Sequence, residues 1–237
     1  MSEHLTVLII TAASLGFIHT LIGVDHYVPF IALSKAFNWT KLKTLSITAL
    51  CGIGHVLSTI LIGMIGIALG LSLEKLEFIE NSRGEIAGWL LLGFGVIYTI
   101  YGLFYSKFNK KHTHSHFHLE EKVYHEHEHN HVKIDHKHTH QPEQKISGWI
   151  LFIIFVFGPC EALIPVLMIP AAQHSYSGLV LVVLIFGIAT ILTMLIMVYA
   201  GMVGLSFIPI KKFEKHIHTL AGLTILLCGI GVQFLGL

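Results

Sequence analysis

The stretch His19-Thr-Leu-Ile-Gly23-Val-Asp25-His26-Tyr-Val-Pro29-Phe30 places two imidazoles and a carboxylate inside an apolar run that extends from Leu5 to about Leu33. That run exceeds the roughly 20 residues a helix needs to cross a bilayer. Asp25 therefore falls where a bare charge costs at least about 2.5 kcal/mol, which marks it as a functional residue. On an unbroken helix His19 and His26 share a face two turns apart, about 10 Å of rise, too far to bind one ion. Gly23 and Pro29 each weaken the helix nearby, and a helix interrupted at mid-membrane can bring side chains together.

The rest of the chain fits a membrane setting. Charged residues make up 12% of its 237 residues and apolar ones 54%, and mean hydropathy is +0.73, leaving no room for a large soluble domain. The N-terminal Met-Ser-Glu-His-Leu-Thr has neither the basic residues nor the cleavage site of a secretory signal, so the first span is expected to stay in the mature protein. Cys51, Cys160 and Cys228 lie within apolar runs, which argues against a structural disulfide framework. No motif points to an enzyme or to nucleic-acid binding. The partners expected are the lipid bilayer and a divalent metal ion, with no resident cofactor.

Hydropathy predicts six spans, near residues 5–33, 44–71, 86–105, 148–172, 177–205 and 218–237. Thirteen of the 15 basic residues fall in the connections after spans one, three and five, and only Lys75 and Arg83 on the other side. Positive-inside counting then puts those connections in the cytoplasm and both termini outside. The chain also repeats itself. Ala87-Gly88 through Gly95 in span three aligns with Ala221-Gly222 through Gly229 in span six, Gly54-His55-x-x-Ser58 with Ala189-Thr190-x-x-Thr193, and Gly16-x-x-His19-x-x-x-Gly23 with Gly158-x-x-Glu161-x-x-x-Pro165. The expected fold is an all-α polytopic membrane protein: six transmembrane helices as two inverted three-helix repeats, residues 1–105 and 148–237, joined by a cytoplasmic, disordered His-rich loop at 106–147.

In that arrangement His19 and Glu161 are symmetry partners near the midplane, each in a span broken by Gly23 or Pro165, with His55 and Thr190 as the next tier. His19, Asp25, His26, His55, Glu161 and the Cys160 thiolate form the expected metal site. Imidazole and thiolate donors suit nickel, cobalt or zinc better than magnesium or calcium. The loop adds eleven of the 18 histidines: His112, His114, His116, His118, His125, His127, His129, His131, His136, His138 and His140. Alternate histidines on an extended chain fall on one side and can share a metal without a preformed cage.

His19-x5-Asp25-His26, Gly54-His55-x-x-Ser58 and Gly158-Pro159-Cys160-Glu161-Ala162 together resemble the nickel/cobalt permeases and their relatives in the wider LysE-type exporter superfamily, which includes sulfite-exporter-like and urease-accessory-like membrane proteins. The uptake permeases carry one residue fewer between the first His and the Asp. Six spans with a His-rich central loop look most like the nickel/cobalt efflux branch, so the resemblance implies Ni2+ or Co2+ export with the loop collecting metal at the inner mouth. Two alternatives stand beside it. Gly-Pro-Cys in span four also resembles the thiol-disulfide electron carriers of the CcdA/DsbD type, whose chemistry needs facing cysteines, whereas the symmetry mate of Cys160 is Ile18. A sulfite-type anion exporter would want Arg or Lys at the midplane, and none falls within the six predicted spans.

Overall fold

In the computed structural model, which describes residues 3–108, 112–118, 123–129, 143–173, 175–207 and 215–235, the apolar runs become helices whose outer faces are as apolar as their cores. The helices are α1 (Glu3–Ile22), α2 (Val28–Ala36), α3 (Lys41–Ala68), α4 (Leu73–Phe108), α5 (Glu143–Phe157), α6 (Leu163–Ala172), α7 (Tyr176–Ser206) and α8 (Ile217–Ile230), the last running on into a π-helical end at Gly231–Leu235. Ile53, Leu57, Leu61 and Ile65 on α3, and Leu184, Ile188, Leu192 and Ile196 on α7, recur every four residues on the exposed surface. Such a stripe would be unstable in water and is what lipid requires. Polar groups go inward: Thr44, Thr48, His26, His55, Glu80 and Thr190 are buried.

Local chemistry sets the ends. The Thr40 hydroxyl accepts from the Lys43 N–H at 3.2 Å to start α3, and Ser175 accepts from Gly178 at 3.3 Å to start α7, each supplying an acceptor the first turn lacks. Asn38, just past α2, takes the left-handed conformation (φ 51°) that asparagine tolerates better than most residues.

Five helices, Leu5–Ile22, Lys41–Ala68, Leu73–Lys107, Tyr176–Ser206 and Ile217–Leu235, are long and apolar enough to cross a membrane; the chain is an integral, all-α membrane protein through its described core. The predicted fourth span is observed as two short helices, α5 and α6, with residues 158–162 between them. The break precedes Pro165, which sits in the first turn of α6 where its missing N–H costs little. The third span begins at Leu73, not near residue 86. Hydropathy assigns residues 73–85 to a connection because they carry six charged residues, Glu74, Lys75, Glu77, Glu80, Arg83 and Glu85, yet Leu76 and Glu80 are fully buried.

α4 packs along α8 more extensively than any other pair, α1 lies on α7, and α3 lies between α5 and α7. At the α4–α8 seam a Cβ on Gly95 would fall 2.5 Å from the Leu226 backbone, and one on Gly222 would fall 2.5 Å from the Thr99 N. The two glycine motifs that read as copies of one another are thus the surfaces that let these helices approach closely. In the His-rich segment, β1 (His112–His118) pairs antiparallel with β2 (Val123–His129), with His112 opposite His129, His114 opposite His127 and His116 opposite His125. His131, His136, His138 and His140 lie outside the described residues.

Candidate functional site

Two helix breaks face one another across the molecule's interior. At the first, α1 stops at Ile22 and residues Val24–His26 form a single 3-10 turn before α2. Gly23 is required there for space: a Cβ would lie 2.5 Å from His26 Nδ1 and 3.0 Å from Asp25 Oδ1. Its carbonyl accepts from the His26 N–H and from His26 Nδ1, both at 3.1 Å. Pro29 enters α2 in its first turn, where no hydrogen bond is lost.

The second break, residues 158–162, frees backbone groups that hydrocarbon cannot satisfy. Two residues of α4 satisfy them. Arg83 Nη2 donates to Val156 O at 2.7 Å, to Gly158 O at 3.2 Å and to Ser58 Oγ at 2.7 Å, while Nη1 donates to Thr59 Oγ1 and pairs with Glu80. Glu80 Oε2 accepts from the Cys160 N–H at 3.2 Å and from Thr59 Oγ1 at 3.1 Å. This buried ion pair clamps both sides of the break to α3 and α4. Positive-inside counting had placed Arg83 in an external connection; the structure buries it in a helix. The sequence signal was present as a Glu and an Arg three apart between Leu76 and Ile86, which puts them on one helix face.

Between the breaks lie three histidines. Breaking the helix brings the His19 and His26 ring centroids to 4.9 Å, far closer than the spacing on a continuous helix. His55, from α3, stands edge-on to His26 at 5.1 Å and parallel to His19 at 6.4 Å. One nitrogen from each ring lies within 4.8 Å of the other two. His26 Nδ1 is 3.0 Å from Asp25 Oδ1, and His55 Nδ1 is 3.3 Å from the Phe155 carbonyl. Both partners are acceptors, so each Nδ1 carries a proton, and in the neutral ring each Nε2 presents a lone pair. The Nε2 atoms of His19, His26 and His55 are buried without a hydrogen-bond partner among the described residues.

Asp25 thus orients His26, and Glu161 stands elsewhere. A cavity of about 460 Å³ is lined by His19, Asp25, His26, Asn81, Glu85 and Glu161. In the amide orientation that satisfies both ends, Asn81 donates to Glu161 Oε1 at 3.2 Å and to Glu77 O at 3.1 Å. Cys160 is fully buried in an apolar cluster with Ala12, Leu163 and Phe186, whereas Cys51 and Cys228 belong to another cluster around Phe30 and Met194. All three are free thiols. Thr190 is buried on α7 beside Gly16, its hydroxyl unpartnered among the described residues. Of the six predicted ligands the structure gathers three, adds Asp25 as their neighbour, and sets Glu161 on the cavity wall and Cys160 in the packing behind it.

The family model described as the cytochrome c biogenesis protein transmembrane region matches residues 29–231. No curated protein and no solved structure matches the chain. A match over most of the chain overturns the resemblance to the nickel/cobalt permeases, and with it the expectation of nickel or cobalt efflux. The motifs behind that resemblance are three short stretches, whereas the family match spans α3 to α8 and nearly all of α2.

Proposed function

The chain belongs to the cytochrome c biogenesis transmembrane-region family, and from that premise we propose that it is a membrane carrier of reducing equivalents in thiol-disulfide form, with Cys160 as its reacting thiol. The observation that carries this reading is the placement of Cys160 in the break between α5 and α6, where its N–H is held by the Glu80 carboxylate instead of by a helix. Its chain neighbours Pro159 and Glu161 line the cavity, so Cys160 sits directly behind that wall.

Cys51 and Cys228 pack in a different cluster, so exchange runs between molecules. The Cys160 thiolate attacks an acceptor disulfide, forming a mixed disulfide and releasing one acceptor thiolate. A donor dithiol then attacks Cys160 sulfur, releases the second acceptor thiolate, and closes its own disulfide to return Cys160 to the thiolate. Two electrons and two protons pass from donor to acceptor. The architecture proposed with it is six spans in two inverted halves, α1 with α2 and α5 with α6 each counting as one broken span. Both breaks, the α4–α8 seam and the basic connections support that reading, with the His-rich segment cytoplasmic.

Sealed vesicles containing a disulfide reporter, with reduced thioredoxin outside, test it. Protein-dependent reporter reduction is expected, lost in Cys160→Ser and kept in a Cys51→Ala/Cys228→Ala double variant. Transfer by Cys160→Ser at the unaltered rate would overturn the proposal.

A further inference from the structure

The Nε2 atoms of His19, His26 and His55 are buried without a partner among the described residues, and a buried polar atom left unpaired costs about 1–3 kcal/mol. His26 and His55 are 4% and 2% exposed, and His19 and His26 border the cavity. We propose that His19, His26 and His55 bind one resident first-row transition-metal ion, of which Zn2+ is the representative, through their Nε2 atoms. This inference rests on the geometry of the cluster and not on the thiol reading.

The chemistry fits at each point. Neutral imidazole is the commonest nitrogen ligand for such ions, and three of them leave one coordination position open. A tetrahedral ion with Zn–N distances of about 2.0–2.1 Å needs nitrogens about 3.4 Å apart. One nitrogen of each ring already lies within 4.8 Å of the other two, a gap that small side-chain rotations close. The protons are pre-arranged: Asp25 and the Gly23 carbonyl hold Nδ1 of His26 and the Phe155 carbonyl holds Nδ1 of His55, the outer-sphere pattern that fixes a ligand's tautomer. Glu161 and Cys160 are outside the set of mutually close donors. Asp25 is a positioning residue in this arrangement.

The ion would join the two breaks. His19 and His26 flank the first, and His55 is bonded to Phe155, whose carbonyl also accepts from the Gly158 N–H at 3.1 Å at the start of the second. Metal on the histidines therefore restrains the segment that carries Cys160.

The test uses the full-length chain in detergent with the eleven loop histidines replaced by asparagine, so that the loop contributes no binding. Equilibrium dialysis against Zn2+ is expected to give one ion per chain, and zinc-edge X-ray absorption to give three nitrogen neighbours at 2.0–2.1 Å. His26→Ala and His55→Ala should each abolish retention, and Asp25→Asn should weaken it 10–100-fold while three nitrogens remain. His218→Ala, outside the cluster, should bind as the parent does. Helix content measured by circular dichroism separates lost ligands from lost fold, and Asp25→Asn keeps the volume unchanged if the alanine variants fail to fold. No retained zinc in the folded parent, or equal retention by folded His26→Ala and His55→Ala, would overturn the proposal. Neither result depends on thiol transfer.

Discussion

Replacing Arg83 by Met removes the guanidinium and keeps most of the volume, which isolates the clamp at the second break. Arg83 donates to Ser58, Thr59, Val156 O and Gly158 O and pairs with Glu80. Its loss leaves the Glu80 carboxylate, fully buried, without a counter-charge, and breaking a buried pair from one side costs about 3–5 kcal/mol. Two backbone carbonyls at the break also lose their donor, at about 1–3 kcal/mol each where nothing replaces it. Relaxation recovers part of this, so a loss of about 4–6 kcal/mol is expected in denaturant unfolding followed by circular dichroism in detergent. Glu80→Gln in the Arg83→Met background should restore about 2–3 kcal/mol, because the residual penalty is mainly the orphaned charge. Arg83→Lys should fall between, since a single ammonium cannot span Ser58 and both carbonyls. An Arg83→Met variant within 0.5 kcal/mol of the parent, or a double-mutant cycle with no coupling, would refute the clamp.

Gly95→Leu should separate α4 from α8, because a Cβ there meets the Leu226 backbone at 2.5 Å; loss of several kcal/mol in the same unfolding assay is expected, against under 1 kcal/mol for Gly93→Leu, where nothing lies within 4 Å. Gly23→Ala should push the His26 ring from its place and lower zinc affinity at least tenfold in dialysis, with helix content unchanged. A cysteine added at position 2 or 237, in a chain whose own cysteines are alanine, should react with an impermeant maleimide on intact cells, and one at position 120 should react only after lysis. The opposite labelling pattern would reverse the orientation.

Hydropathy and backbone chemistry are local, and what depended on them could be read directly. The apolar runs made this a helical membrane protein, and Asp25 beside His26 in hydrocarbon marked the interior site before any contact was known. Gly23 signalled the first break by lacking a Cβ; the second was anticipated at Pro165 but falls at Gly158-Pro159, because a proline three residues into a helix loses no bond whereas one behind a glycine cannot continue it. What one chain position cannot encode alone is which faces meet. Arg83 was read as an external charge because a hydropathy window averages over a helix face, and only packing against α3 and α5 shows that the face is buried. The separation of Cys160 from the histidines, the meeting of one ring nitrogen from each of His19, His26 and His55, and the role of Asp25 as an orienting group all follow from the rotation of each helix about its axis. That rotation is set by close approach at glycines such as Gly95 and Gly222 and by the demand that unsatisfied backbone at a break find a partner, both properties of the assembled bundle.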